Sequence, residues 1–234
     1  MGAENMMNIP DSVCNGSEIQ KMHFAAEIAM LSKYYAQGIK AFSILIEKYN
    51  IKRTDFFLNR GYCYFESKDY DKAEKDYLEA LKLPNILDTN LILNNLSLLY
   101  FRKNDFQKSL EYTNKLCELN PNNHVFYIDR GLCYRKLKKF EEAEKDFNKS
   151  LELEPNFFRA FGYRAFLYLQ LGKFEMALAD AKKSVEINPQ YGYGYLVLGQ
   201  VKRELNISGF CDDFYYAMKY GEPDGEIALK QYCK

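Results

Sequence analysis

Along the chain, apolar residues recur at helical spacing on either side of short polar turns, among them "SKDY" at 67–70, "KNDF" at 103–106 and "LGKF" at 171–174. That periodicity predicts pairs of amphipathic helices joined by tight turns. The pairs are copies of one another. "RGYCYFESKDYDKAEKDYLEALKL" at 60–83 and "RGLCYRKLKKFEEAEKDFNKSLEL" at 130–153 agree at eleven of twenty-four aligned positions. Their offset is close to twice a period of 34 or 35, and an intermediate copy lies between them. The frame advances in steps of 34 through 90–123, 124–157 and 158–191 to a new start at Gly192. Upstream, 54–89 has two extra residues in its closing loop, and 19–53 is a degenerate copy. Asp69 and Asp105 are placed to cap the second helix of their units. Pro121, Pro155 and Pro189 stand where that helix must stop.

Side-chain size is controlled at two positions of the repeat. The eighth holds Ala26, Gly61, Ser97, Gly131, Ala165 and Gly199; the twentieth holds Gly38, Ala73, Ser109, Ala143 and Ala177. Small residues at two fixed offsets predict close approach of paired helices, because a larger side chain would force them apart.

With these positions the chain resembles the tetratricopeptide repeat family. That signature has an aromatic at position 4, Leu at 7, a small residue at 8, Tyr at 11, Ala at 20, an aromatic at 24 and Pro at 32. Here position 4 is Phe57, Leu93, Tyr127, Phe161 and Tyr195, and position 11 is Tyr64, Tyr100, Tyr134 and Tyr168. Position 24 is Phe42, Tyr77 and Phe147, while Thr113 and Ala181 depart; Arg60, Arg130 and Arg164 stand at position 7 in place of Leu. The likeness covers about residues 19–225. It implies an all-α fold, a right-handed α-solenoid of helix–turn–helix repeats forming a single domain over 18–234. Its expected units are 19–53, 54–89, 90–123, 124–157, 158–191 and 192–222, with a capping helix at 223–233 and a disordered tail at 1–17. In the last unit a strict frame puts Cys211 at position 20. One extra residue in the turn "NISG" is the preferred reading, with Phe214 at position 24 and Ala217 at position 27.

Composition narrows the function classes. Thirty-two basic side chains balance thirty-two acidic ones, which disfavours a nucleic-acid or anionic-membrane binder. The run "RKLKK" at 135–139 is followed at once by Glu141 and Glu142 and reads as a solvated face. Cys14, Cys63, Cys117, Cys133, Cys211 and Cys233 form no CxxC pair, so reduced thiols acting as small apolar side chains are expected throughout. No apolar run of membrane-spanning length and no signal peptide is read, and the chain is expected to be cytoplasmic. His23 and His124 lack companions at metal-ligand spacing, and there is no HExxH, phosphate loop or nucleophile elbow. Neither a catalytic residue, a metal nor a cofactor is expected, and the chain is read as a non-enzyme.

The resemblance implies a concave groove lined by positions 2, 5, 6, 9, 12 and 13 of the first helices. On this sequence those positions bring in Asn59, Tyr62, Asn94, Asn95, Asp129, Arg135, Arg159, Tyr163, Phe166, Tyr193, Gln200 and Arg203. Asn offers both donors and acceptors to an extended backbone, and Tyr and Arg are frequent at interface hot spots. The expected partner is a protein or peptide, and a homodimer through the many aromatics (20 Tyr, 17 Phe) stays open. The carboxylate clamp of chaperone-binding members is not reproduced: its nearest register here is Leu58, Tyr62, Asn95, Val125 and Asp129, and only the Asn agrees.

Overall fold

The computed structural model describes residues 18–83 and 89–233; the expected tail at 1–17, with Cys14, lies outside the described residues. The described residues form helices and turns, with no strand among them. The helices are α1 (Glu18–Leu31), α2 (Tyr35–Ser43), α3 (Thr54–Glu66), α4 (Tyr70–Lys82), α5 (Thr89–Arg102), α6 (Phe106–Leu119) and α7 (His124–Lys136). They continue with α8 (Phe140–Leu153), α9 (Phe158–Gln170), α10 (Phe174–Ile187), α11 (Gly192–Glu204), α12 (Phe210–Lys219) and α13 (Pro223–Tyr232). A π-helical turn, Ile44–Lys48, extends α2. The chain divides into two compact units, 1–112 and 113–234, with the boundary inside α6.

The hairpin turns share one backbone device. Position 15 of each repeat (Lys33, Lys68, Asn104, Lys138, Gly172 and Asn206) is left-handed, with φ between 54° and 70°. A left-handed residue ends a right-handed helix and reverses the chain, and Asn or Gly tolerates it best. In the first five repeats the next residue opens the second helix. Asp69 and Asp105 cap as expected, accepting from the backbone N–H of Lys72 (3.4 Å) and Lys108 (3.1 Å).

Inside each pair the small positions are buried, and what crowds them is a ring. A Cβ built on Gly61 would lie 2.7 Å from the Tyr77 ring; on Gly131 it would lie 2.6 Å from Phe147, and on Gly199, 2.7 Å from Phe214. In these three repeats a glycine at position 8 goes with a ring at position 24, while in the first repeat Ala26 shares its cluster with Phe42. Where position 24 shrinks to Ala181, position 8 carries the methyl of Ala165, and both are fully buried.

Position 7 shows why Leu could be replaced. Arg60, Arg130 and Arg164 each grip an Asp sixteen residues on through Nε and Nη2: Asp76 at 2.7 and 2.8 Å, Asp146 at 2.8 and 2.7 Å, and Asp180 at 2.7 and 2.8 Å. The Nη1 of each reaches position 25 of the preceding repeat: Ser43 at 3.1 Å, Asn114 at 3.4 Å and Asn148 at 2.6 Å. Aromatics at positions 4 and 11 flank each guanidinium, as Tyr127 and Tyr134 do for Arg130 at 5.4 and 5.9 Å. Burial raises the Asp76 and Asp146 carboxyls against the pull of their arginines. Successive repeats are also tied by Tyr at position 11: Tyr100 donates to Glu74 at 2.6 Å and Tyr168 to Glu144 at 2.8 Å.

The last repeat corrects two expectations. Phe214 does face Gly199 as a position-24 ring should, but it lies fifteen residues on, where Gly61 and Gly131 are sixteen from their rings. The connection is thus one residue shorter, not longer. Its loss falls after Asn206, where α12 begins late at Phe210. Cys211 and Cys233 form a disulfide, with Cα atoms 5.8 Å apart, that ties the end of α13 to α12. Reduced thiols were expected there, as one of the grounds for a reducing compartment; this pair removes that ground. Cys63, Cys117 and Cys133 are buried free thiols, and burial pushes Cys63 and Cys117 up to about 12.

Candidate functional site

Because positions 7, 8 and 11 of the first helices are committed to packing, positions 2, 6, 9 and 12 are left for the opposite face. In the first unit that face is made by α3 and α5. Tyr62, 37% exposed, and Asn95 line a small cleft of about 50 Å³ together with Phe65, Glu66, Tyr77 and Leu98. Asn59 and Asn94 lie half-buried on the same helices but do not line this cleft.

The second unit carries a more elaborate face on α7, α9 and α11. The Arg135 guanidinium lies 4.9 Å over the Phe166 ring, and its Nη1 donates to Gln170 Oε1 at 3.2 Å. Phe166 meets Tyr193 at 6.1 Å, Tyr193 meets Tyr163 at 5.2 Å, and Tyr191 closes the row 6.0 Å from Tyr193. Burial raises the Tyr191 and Tyr193 phenols, so both stay neutral donors. Arg159 is exposed beside Asp129 and Tyr191. Asp129 is enclosed by its neighbours, and burial lifts its carboxyl to about 6 although Arg159 pulls it down. Glu222 and Asp224, at the start of α13, also act on the Tyr193 hydroxyl. Two buried polar atoms on this face have no partner among the described residues: Arg135 Nε and Gln200 Oε1.

Six of the candidates, Asp129, Arg135, Arg159, Tyr163, Phe166 and Tyr193, are therefore joined by contacts or through-space charge. Gln200 shares their helix face. Arg203 does not join them: its guanidinium lies 4.1 Å over Tyr232 of α13 and it bonds to Glu204. Sequence reasoning missed Tyr191, whose place one residue before the unit boundary hid it, and Gln170. At the turn ends of α8 and α10 a depression of about 440 Å³ is lined by Lys138, Lys139 and Lys173 against Glu141, Glu142 and Glu144, so its charges cancel. Among the described residues no group of three or more His, Cys, Asp or Glu is placed to hold a metal ion. No helix among them is long and apolar enough to cross a membrane.

Sequence models of the tetratricopeptide repeat match residues 54–83, 91–123, 125–157 and 147–179. The chain is 30% identical over 86 residues to the photosystem I assembly protein Ycf3 of Prochlorococcus marinus, which is 36% of this chain and 50% of that protein. It thus spans about half the length of this curated relative. A tetratricopeptide repeat protein from Parabacteroides merdae shares its fold, with a TM-score of 0.76 at 21% identity over 93% of this chain and 88% of that one. So does the C-terminal part of a TPR repeat-containing protein from Cytophaga hutchinsonii, with a TM-score of 0.68 at 16% identity over 90% and 83%.

Proposed function

The chain belongs to the tetratricopeptide repeat family, and from that premise we propose that it binds an extended segment of a partner protein on the inward face of its first helices, as a non-catalytic adaptor or assembly scaffold. The observation that carries this reading is the row Arg135, Phe166, Tyr193 and Tyr163, bordered by two buried polar atoms without partners. Unpaired buried polar atoms weaken a fold, and a ligand on this face would supply partners to these two, while His23 Nε2 and Ser150 Oγ lack hydrogen-bond partners elsewhere. A rigid helix face loses little freedom on binding, which leaves more of the contact energy as affinity. The relative from Prochlorococcus is named an assembly protein, in keeping with a scaffold role.

Affinity capture from the native lysate with the wild type and with the Asn95→Ala, Arg159→Glu double variant tests the reading. Loss of a specific protein in the variant, at unchanged melting temperature, is the expected outcome. Equal capture by both moves the interface elsewhere. One observation favours a second reading, self-association: on α12, Tyr215, Tyr216 and Met218 are 49%, 38% and 38% exposed. Light scattering at two concentrations separates the two, since a dimer doubles the mass and a monomeric adaptor does not change.

A further inference from the structure

Four of the eight arginines of this chain follow one contact rule. Arg60, Arg130 and Arg164 each present the Nε–Nη2 edge to a carboxylate of their own repeat. Arg53 does the same with Asp55, at 3.0 and 2.6 Å. On the second unit's inward face the rule breaks. The Arg135 guanidinium carbon lies 4.9 Å from the centre of the Phe166 ring and its Nη1 donates to Gln170, yet its Nε has no partner among the described residues. No carboxylate lies within 4 Å of Arg135 or Arg159 among the described residues.

We infer that the segment bound on this face carries an internal acidic side chain next to an aromatic or large apolar one, the carboxylate taking the Nε–Nη2 edge of Arg135 and the apolar group lying on Tyr193 and Tyr163. This rests on the groove reading above and narrows it. The guanidinium fork matches a carboxylate's two oxygens, and the Phe166 contact with the hydrogen bond to Gln170 restrains the side chain in advance, which lowers the ordering cost of a bidentate pair. Gln200 Oε1, a buried acceptor on the same face of the next first helix, suits a backbone N–H of that segment. Asp129, Glu222 and Asp224 border the site and set its polarity. They repel an acidic group placed away from Arg135 and so fix the register of the segment. A chain-terminal carboxylate is not the ligand inferred, because the clamp positions on α7, α9 and α11 hold Ile128, Leu132, Tyr163, Tyr193 and Val197, none of them Lys, Arg or Asn.

The test uses the full chain and three fluorescent hexapeptides. One alternates glutamate with phenylalanine, one alternates lysine with phenylalanine, and both are blocked at their ends. The third alternates serine with phenylalanine and keeps a free C-terminal carboxylate. The first is expected to bind at least tenfold more tightly than either of the others. Arg135→Gln and Arg135→Lys are both expected to remove that preference, Lys because it cannot form the fork. Tyr193→Ala should weaken all three peptides, and circular dichroism melts check that each variant folds. Equal or stronger binding of the lysine peptide, still sensitive to Tyr193→Ala, overturns the acidic specificity and leaves the groove. Glutamate-peptide binding indifferent to both Arg135 and Tyr193 overturns the groove itself. A preference for the free carboxylate, or no binding by any peptide, also overturns the inference.

Discussion

In the repeat at 124–157, Arg130 holds Asp146 through two hydrogen bonds between the paired helices; in the repeat at 90–123 the same two positions carry Leu96 and Tyr112. Leu96 is fully buried, and Tyr112 packs on the same cluster, stacked 5.6 Å from Tyr100. The two repeats therefore fill one space by different means, and they change both positions together. A buried charge is tolerated only with its counter-charge, while Leu96 and the Tyr112 ring need none. The ion pair is consequently not a requirement of the helix pair. What it adds is a fixed pairing, because the Asp comes from the second helix of the same repeat and the position-25 acceptor from that of the preceding one.

The largest expected effect comes from breaking the pair on one side. Asp146→Ala leaves Arg130 half-buried without its carboxylate and should cost about 3 kcal/mol in urea unfolding. Next is Gly131→Ala, whose new methyl meets the fully buried Phe147 ring at 2.6 Å. Overpacking of about 1–3 kcal/mol outweighs the roughly 1 kcal/mol gained in helix propensity, for a net loss of about 1 kcal/mol. The double change Arg130→Leu with Asp146→Tyr copies the neighbouring repeat and should stay within about 1 kcal/mol of wild type. If the double variant is as unstable as Asp146→Ala alone, the equivalence of the two repeats is wrong.

The smallest effect concerns position 6, Asn95 in one repeat and Asp129 in the other. The folded state holds the Asp129 carboxyl at about 6, above its ordinary 3.8. The folded protein thus binds this proton more tightly than the unfolded chain, and the contribution to stability is present in full below about pH 4. It is lost as pH rises through 6. Asp129→Asn should remove that step, so the variant gains on wild type between pH 4 and 6.5 in a series of thermal melts. A wild-type profile identical to the variant's across that window would contradict the burial argument.

The helix pairs, their turns and their caps could be read from the sequence because each depends on residues a few places apart. Positions 8, 20 and 24 were legible because their residue types recur at the same place in successive repeats, although the crowding partner at position 8 is the ring at 24 rather than a neighbouring backbone. The Arg–Asp grip was not read, although Arg60, Arg130 and Arg164 each stand sixteen residues before an Asp; spacing alone does not say that two helices face each other there. The last repeat was misread where its local signals fade. Gly209 replaces the capping Asp, α12 starts late, and Cys211 meets Cys233 only because α13 folds back on α12. Arg203 was assigned to the groove by a rule that presumes another repeat follows, and here α13 follows and takes the side chain. Most of the aromatic face was legible by position, whereas its unpaired Nε was not, since that depends on where every nearby acceptor lies.

The most direct test of the central claim is site-specific photo-crosslinking in the native lysate. A benzoylphenylalanine at Phe166 samples the proposed binding face of α9, and one at Tyr215 samples the exposed side of α12. The account predicts a discrete adduct from Phe166, competed away by excess unlabelled protein, and none from Tyr215. An adduct from Tyr215 alone would contradict it and place the interface on the outer surface.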